Sequence, residues 1–214
     1  MTTPSDRLRQ LVRPEHTVVV TMELQTGIVG DDAILPALPI AVREVGMLDV
    51  AGRVCRAARQ HDVRVVHATA RHRSDGVGQV VNCKISAIGA KRRAEVGHGP
   101  TDIGQPGVTL VDELDVQPSD IEVPRMHGMT PFTGTELDAV IRSLGAGTIV
   151  LMGVSLNLGI TGAALSAVDL GYQVIVVRDA VVGLPREYGD AVIENTLAMI
   201  ATIVTSDEII SAWA

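Results

Sequence analysis

The chain has 214 residues, 46% of them hydrophobic, and carries 18 basic against 25 acidic side chains for a net charge of −7. That is enough apolar material for one sizeable core, while the acidic balance and the lack of a basic stripe argue against a nucleic-acid partner. No apolar run approaches the roughly 20 residues that span a bilayer, and no apolar signal region opens the chain, so no membrane partner and a cytoplasmic location are expected.

In chain order, residues 1–14 read as a polar leader with a short helix over Asp6–Val12. Residues 1–214 are otherwise expected to form one domain. His16–Leu24 reads as the first strand, delivering Glu23 and Gln25 at its carboxyl end. The pattern Val42, Val45, Leu48, Val50, Val54 predicts one long helix over Pro39–Gln60. In it Cys55 falls at an interior spacing, as a buried thiol. A second strand, Val63–His67, ends in His67 and the basic loop Arg71-His72-Arg73. Residues 74–107 hold seven glycines and little periodicity, which predicts an irregular excursion over the mouth of a site or a subunit contact. Within it, Lys91-Arg92-Arg93 reads as a solvated loop and Cys83 as a thiol in a polar loop.

Val108–Leu114 predicts a short helix or strand, and Ile121–Val123 a brief strand stopped by Pro124. Thr135 caps a helix over Glu136–Leu144. Thr148–Met152 has the length and β-branched content of a buried parallel strand. After Gly153 the residues Ser155 and Asn157 start a helix whose apolar face is Ile160, Ala163, Ala164, Ala167 and Val168. Ser155 is expected to cap that helix with its hydroxyl. A fifth strand over Tyr172–Val177, a helix over Arg186–Ala201, a short strand over Thr202–Val204 and a helix over Asp207–Trp213 complete the chain. Strand and helix alternate throughout, predicting an α/β three-layer sandwich around a parallel sheet of about six strands. In such sheets ligands bind beyond the carboxyl ends of the strands, yet Gly153–Gly159 holds no Cys, His, Asp or Glu.

From about His16 to Trp213 the chain resembles the isochorismatase-like hydrolase superfamily, which includes isochorismatases, nicotinamidases and other cysteine amidohydrolases. The resemblance is carried by VVVTMELQTG at the first strand, PFTGTEL at residues 131–137 and MGVSLNLGITGAALSAVDLGYQVIVVRDAV at residues 152–181. It implies the Rossmann-like three-layer fold and, by family habit, a homo-dimer or homo-tetramer. Amidohydrolases of the family use an Asp, Lys and Cys triad. Those positions map here onto Glu23, Met126 and Gly159. A carboxylate survives at Glu23, and Arg125 keeps a cation beside the Lys position. Adjacent strand residues point to opposite faces, which leaves open whether Arg125 turns inward.

Gly at the Cys position excludes the family's thiolate chemistry there, but it also resembles the isochorismatases, which are thought to protonate a vinyl ether through the Asp. By that analogy Glu23 is a general acid kept protonated by apolar neighbours such as Met22, Phe132 and Leu156. The bland alternative has its carboxylate hydrogen-bonding the amides of the Gly153–Gly159 turn. The resemblance further implies a small-molecule substrate near Gln25, Arg71, His127, Thr130, Phe132, Ser155 and Asn157, with an Arg gripping a substrate carboxylate. A nicotinamidase-type metal site would need Asp-x-His after the second strand. His67-Ala68-Thr69-Ala70-Arg71-His72 lacks the Asp, so no metal or other cofactor is assigned and His67 is expected to be a hydrogen-bonded structural histidine. Three readings stay open: a hydrolase without a cysteine nucleophile, a non-catalytic ligand-binding or assembly module, and a relocated nucleophile at Cys83 or Ser155.

Overall fold

The computed structural model describes residues 6–214; the first five residues of the expected leader lie outside them. Six strands, β1 (Thr17–Met22), β2 (Arg64–Ala70), β3 (Ile121–Arg125), β4 (Thr148–Val154), β5 (Gln173–Val182) and β6 (Thr202–Val204), form one sheet in the order β3-β2-β1-β4-β5-β6. Every pairing is parallel. With helices on both faces, this is the expected α/β three-layer sandwich. Central strands must be buried on both sides in such a sheet, and every residue of β1 and β4 is buried. Aliphatic and small side chains build the core, as a chain with four aromatics requires.

Several elements differ from their sequence reading for local reasons. The expected single helix Pro39–Gln60 is two, α3 (Ala37–Glu44) and α4 (Met47–Gln60), because Gly46 between them adopts a left-handed φ of 63°. β3 does not stop at Pro124 but runs to Arg125. It is an edge strand, where a missing backbone donor costs little. Residues 74–107 are not wholly irregular either: Lys84–Val96 is a helix, α5, that buries none of its side chains, so periodicity had no core face to report. Lys91, Arg92 and Arg93 lie on this helix rather than in a loop. Val108–Leu114 resolves into parts of two 3-10 turns, Pro106–Val108 and Asp112–Leu114, linked by a bridge from Leu110 to Gln25.

The helix after β4 buries Ala163, Ala164 and Ala167 as expected but leaves Val168 exposed, and the expected helix Arg186–Ala201 is interrupted by a π turn at Ile193–Leu197. Besides α3 to α5 the helices are α1 (Asp6–Leu11) and the single turn α2 (Thr26–Val29); then follow α6 (Leu137–Ser143), α7 (Thr161–Asp169), α8 (Arg186–Val192), α9 (Ala198–Ile200) and α10 (Ser206–Trp213). Thr205 and Glu208 form a capping box at the start of α10, and Trp213 Nε1 donates to Val12 O at 2.9 Å, tying the two ends of the described chain together. Cys55 is buried in α4, and burial pushes its thiol up to about 12.

His67 lies inside the sheet and is hydrogen-bonded, as expected. Its Nδ1 sits 2.7 Å from Thr21 Oγ1, and its Nε2 3.3 Å from Asp120 Oδ2. Asp120, with a side chain 2% exposed, also takes two hydrogen bonds from Arg59 of α4, at 3.0 and 2.7 Å, and one from Gln117 N. Burial pushes the Asp120 carboxyl up, but the hydrogen bonds from His67, Arg59 and Gln117 outweigh it and hold the group at about 2, below its ordinary 3.8. A carboxyl depressed in the folded state stabilises the fold fully above its unfolded pKa and loses that contribution as pH falls through the folded value. Asp120→Asn is therefore expected to cost at least about 2 kcal/mol at neutral pH. The gap from wild type should narrow between about pH 4 and pH 2 in denaturant melts; a gap of constant size across that window would contradict the account.

Candidate active site

β1 and β4 are neighbours from which the chain departs in opposite directions, the switch point at which open α/β sheets bind ligands. Three local features shape it. Gly153, near the end of β4, has a φ of 124°, and a β-carbon there would overlap the Met22 carbonyl oxygen. Only glycine lets the two strands come this close. Glu23, the residue after β1, takes a left-handed φ of 54° while its N–H donates to Ala68 O at 2.9 Å. A non-glycine residue in that region is held there at some cost and turns up preferentially at functional sites. Past Val154 the chain enters a π turn, Leu156–Ile160, before α7, so Ser155 and Gly159 both come to the strand ends.

A cavity of about 480 Å³ opens there, within the range of small-ligand sites. Glu23, Arg125, Gly159, Ser155, Met126 and His127 line it together with His72 and Arg93. Apolar walls come from Ile28, Ile34, Leu35, Leu38 and Leu158, and α5 with the segment before it forms a roof through Val80, Val81, Ile85 and Ala90.

Arg125 turns inward. Val123 and Arg125 share one face of β3 and border the same small void as Met22 and Glu23. Strand alternation, read one residue out, was the obstacle. Arg125 Nη2 donates to Glu23 Oε1, in an ion pair whose side chains are 10% and 16% exposed. Glu23 therefore holds a guanidinium, neither the turn amides nor an apolar nest, and its Oε2 has no hydrogen-bond partner among the described residues. Arg125 Nε is buried without a partner.

Gly159 faces Met22. A β-carbon built on Gly159 would lie 2.7 Å from Met22 Cε and 3.1 Å from its Sδ. The thioether end of Met22 thus fills the space in front of Gly159. Met126 is exposed on the cavity wall.

Five of the expected substrate-contacting residues lie outside the cavity lining. Gln25, fully buried, is a strut: its Nε2 donates to Ala70 O and Val108 O at 3.0 Å each, and its Oε1 accepts from Ala70 N at 2.7 Å. Arg71 pairs with Glu122 at 2.6 Å on the edge strand. Thr130 covers Gly162 of α7 with its methyl group, where a β-carbon would meet Thr130 Cγ2 at 2.7 Å. Phe132 stacks on Tyr172, ring centroids 6.4 Å apart. Asn157 fastens the π turn to Leu184, its Nδ2 donating to Leu184 O at 3.0 Å. Ser155 lines the cavity, but its hydroxyl caps no helix.

Among the polar lining residues not assigned to the site by sequence are His72 and Arg93. His72 was passed over because β2 was ended at His67, whereas the strand continues to Ala70 and leaves His72 at its mouth. Arg93 of α5 is clamped to Asp102, a residue with no exposed surface that also accepts from Gly99 N at 2.7 Å. Arg93 in addition donates to Ser74 O at 3.1 Å. Cys83 is exposed at the start of α5, where the Ser86 hydroxyl bonds its sulfur and lowers its thiol pKa. Among the described residues no group of three His, Cys, Asp or Glu side chains is placed to hold a metal ion, and no helix is long and apolar enough to cross a membrane.

Comparison with known proteins agrees with this geometry. The profile of the isochorismatase domain matches residues 17–208. The uncharacterized isochorismatase family protein YecD of Escherichia coli O157:H7 is 32% identical over 127 residues, 56% of this chain and 66% of that one. The match thus spans just under two thirds of that relative's length. The ureidoacrylate amidohydrolase RutB of Pseudomonas savastanoi pv. phaseolicola is 27% identical over 176 residues, 79% of this chain and 71% of that one. Among solved structures, an isochorismatase family protein from Burkholderia thailandensis superposes with a TM-score of 0.76 at 23% identity, over 99% of both chains, which is a likeness of fold.

The crowding at Gly159 has a measurable consequence. Gly159→Cys is expected to fold and to lose about 1 kcal/mol, because the closest contact of the new side chain is the flexible end of Met22, with the Val154 carbonyl oxygen next at 3.2 Å. Combined with Met22→Ala, the two losses should be less than additive in a thermal-unfolding cycle; strict additivity would show that the two residues do not share the space.

Proposed function

Because the chain belongs to the isochorismatase family, we propose that it is a hydrolase of a small substrate bearing a carboxylate or carbonyl group. In this reading it works without a cysteine nucleophile and Glu23 moves the proton. The carrying observation is the Glu23–Arg125 pair on the cavity floor, beside a Gly159 whose thiol space is filled by Met22. One oxygen of Glu23 is held by the Arg125 guanidinium, and its Oε2 is free to accept a proton. Glu23 takes a proton from a water molecule, and the water oxygen bonds to the electrophilic carbon of the substrate. The electron pair of the attacked double bond moves onto the substrate oxygen. As that pair returns, the bond to the leaving atom breaks and Glu23 returns the proton to it, acting first as base and then as acid. Arg125 has N–H groups beyond the one held by Glu23 and suits a planar carboxylate or a developing oxyanion.

A homo-dimer or homo-tetramer belongs to the same proposal. Leu165 and Leu170, at α7 and its end, are exposed apolar side chains of the kind a second copy covers. A ligand-binding member without activity is the second reading. The same ion pair favours it, since a carboxylate already neutralised by Arg125 can serve as a fixed anchor.

Turnover separates them. The substrates to supply are a small panel of amides, followed by ammonia, and isochorismate, followed by pyruvate release. The carbonyl steps above apply to the amides. With isochorismate, Glu23 would instead first give a proton to the vinyl carbon. Water would add to the resulting oxocarbenium carbon and lose a proton back to Glu23, and the hemiketal would collapse to pyruvate and the alcohol. Wild type is expected to turn over one of these, Glu23→Gln to lower kcat by about 100-fold or more, and Arg125→Met to raise KM and lower kcat together. Silence of the wild-type protein across the panel would move the conclusion to the binding module. Amide cleavage that survives Glu23→Gln and is blocked by a thiol reagent would move it to Cys83.

A further inference from the structure

His72 is a polar residue of the cavity lining whose backbone is fixed on both sides and whose side chain has no role in the mechanism above. It stands two residues beyond β2. In the ladder Ala70 is paired with Arg125, and Arg71 N donates to Arg125 O at 2.9 Å. His72 N donates to Thr101 O at 3.0 Å, and its carbonyl accepts from Ile103 N at 2.8 Å. The ring lines the same cavity as Glu23 and Arg125.

The hydrogen bonding selects the tautomer. His72 Nδ1 lies 3.0 Å from Thr101 Oγ1. Thr101 is 3% exposed, and its hydroxyl has no other acceptor among the described residues. The hydroxyl proton therefore goes to Nδ1, and the ring proton resides on Nε2. That leaves Nε2–H as a donor without a protein partner.

We propose that His72 is a substrate-binding residue, whose Nε2–H donates to a carboxylate or carbonyl oxygen of the substrate alongside Arg125 and holds that oxygen as it gains negative charge. A substrate placed this way sets its remaining body against Ile28, Ile34, Leu35 and Leu38, so the chemical class is a small carboxylate or carbonyl compound with an apolar aliphatic or aromatic body. A protonated Nε2 offers no lone pair, so His72 does not compete with Glu23 as the base. The charged groups around the ring are Arg125 of β3, Arg93 of α5 and Asp102 of the loop beside it. Burial first, then Arg125 and Arg93, push the imidazole down to about 4 against the opposing pull of Asp102. His72 thus stays a neutral donor across the neutral pH range, a fixed dipole rather than a titrating charge.

The contribution to catalysis rests on the hydrolase reading; the binding contact does not, and the two are read separately. In 15N-histidine NMR at neutral pH, His72 is expected as the neutral Nε2–H tautomer, and Thr101→Val should disturb that preference. Benzoate, a carboxylate with an apolar ring, is the probe, and its titration should shift the His72 Nε2 resonance. An Nδ1–H tautomer, or a His72 ring that does not respond to benzoate, overturns the proposal whether or not any substrate is turned over. Where turnover is found, His72→Phe should lower kcat by about 100-fold, while His72→Gln, which keeps an N–H donor, should recover most of it. Equal losses in both variants, with folding intact by thermal unfolding, would mean that no hydrogen bond from this position is used.

Discussion

The site depends on how closely β1 and β4 can approach at their carboxyl ends. Gly153 admits the backbone of Met22 where any side chain would collide. That approach carries the Met22 side chain under Gly159 and pushes the next residue, Glu23, into a left-handed conformation that aims it beyond the sheet. Glycine at 153, methionine at 22 and glycine at 159 are therefore one packing unit. Close-packed interiors do not tolerate a change in one member without a response in the others. The space in front of Gly159 is thus occupied by the Met22 side chain and is not an empty hole.

The second constraint is electrostatic. Two largely buried ion pairs flank the cavity, Arg125–Glu23 on the floor and Arg93–Asp102 at the foot of α5. Removing such charges from water costs several kcal/mol per ion, and a pair returns this only with good geometry. Neither pair is explained by stability alone. The first joins segments distant in sequence, β1 and β3, and the second ties α5 back to the adjoining loop that carries Thr101. Arg93–Asp102 substitutes for the apolar face that α5 lacks, since no apolar side chain of this helix is fully buried. The roof of the cavity is attached by charge and hydrogen bonds while its floor is attached by packing. The roof therefore belongs to the less stable end of the molecule's local stabilities.

Sequence patterning carried the sheet because its signals are strong and local. β1 and β4 are uninterrupted aliphatic runs, and the strand–turn–helix around Gly153 is marked by glycine, polar residues and then a helical period. What escaped it depends on partners distant along the chain. The inward turn of Arg125 follows from β3 continuing through Pro124, which an edge position permits and a sequence window does not reveal. α5 was invisible because a helix without a buried face has no apolar period to detect. Gln25, Phe132 and Asn157 were polar or aromatic residues at plausible offsets from the strand ends. Each instead has a structural partner that only the fold supplies: the Ala70 backbone, the Tyr172 ring and the Leu184 backbone.

Two methionines and one arginine restate the chemistry open to this chain. In the proposed reading Met22 takes up the space of a thiol, Met126 takes the place of a lysine, and the cation reappears one residue earlier at Arg125. The contacts behind it are Met22 against Gly159 and Arg125 on Glu23. A guanidinium keeps its charge at any physiological pH and forks toward planar oxygen pairs, whereas an ammonium on a flexible stem can give up a proton. Replacing the second by the first removes a potential proton donor and adds an anion clamp. In the proposed hydrolase, proton movement falls to the group at the floor with a free oxygen, Glu23 Oε2. Negative charge is met by the Arg125 guanidinium and by the His72 imidazole, which burial and the neighbouring arginines keep neutral near neutral pH. Such a division of labour would favour water as the attacking group, since no thiol stands at Gly159.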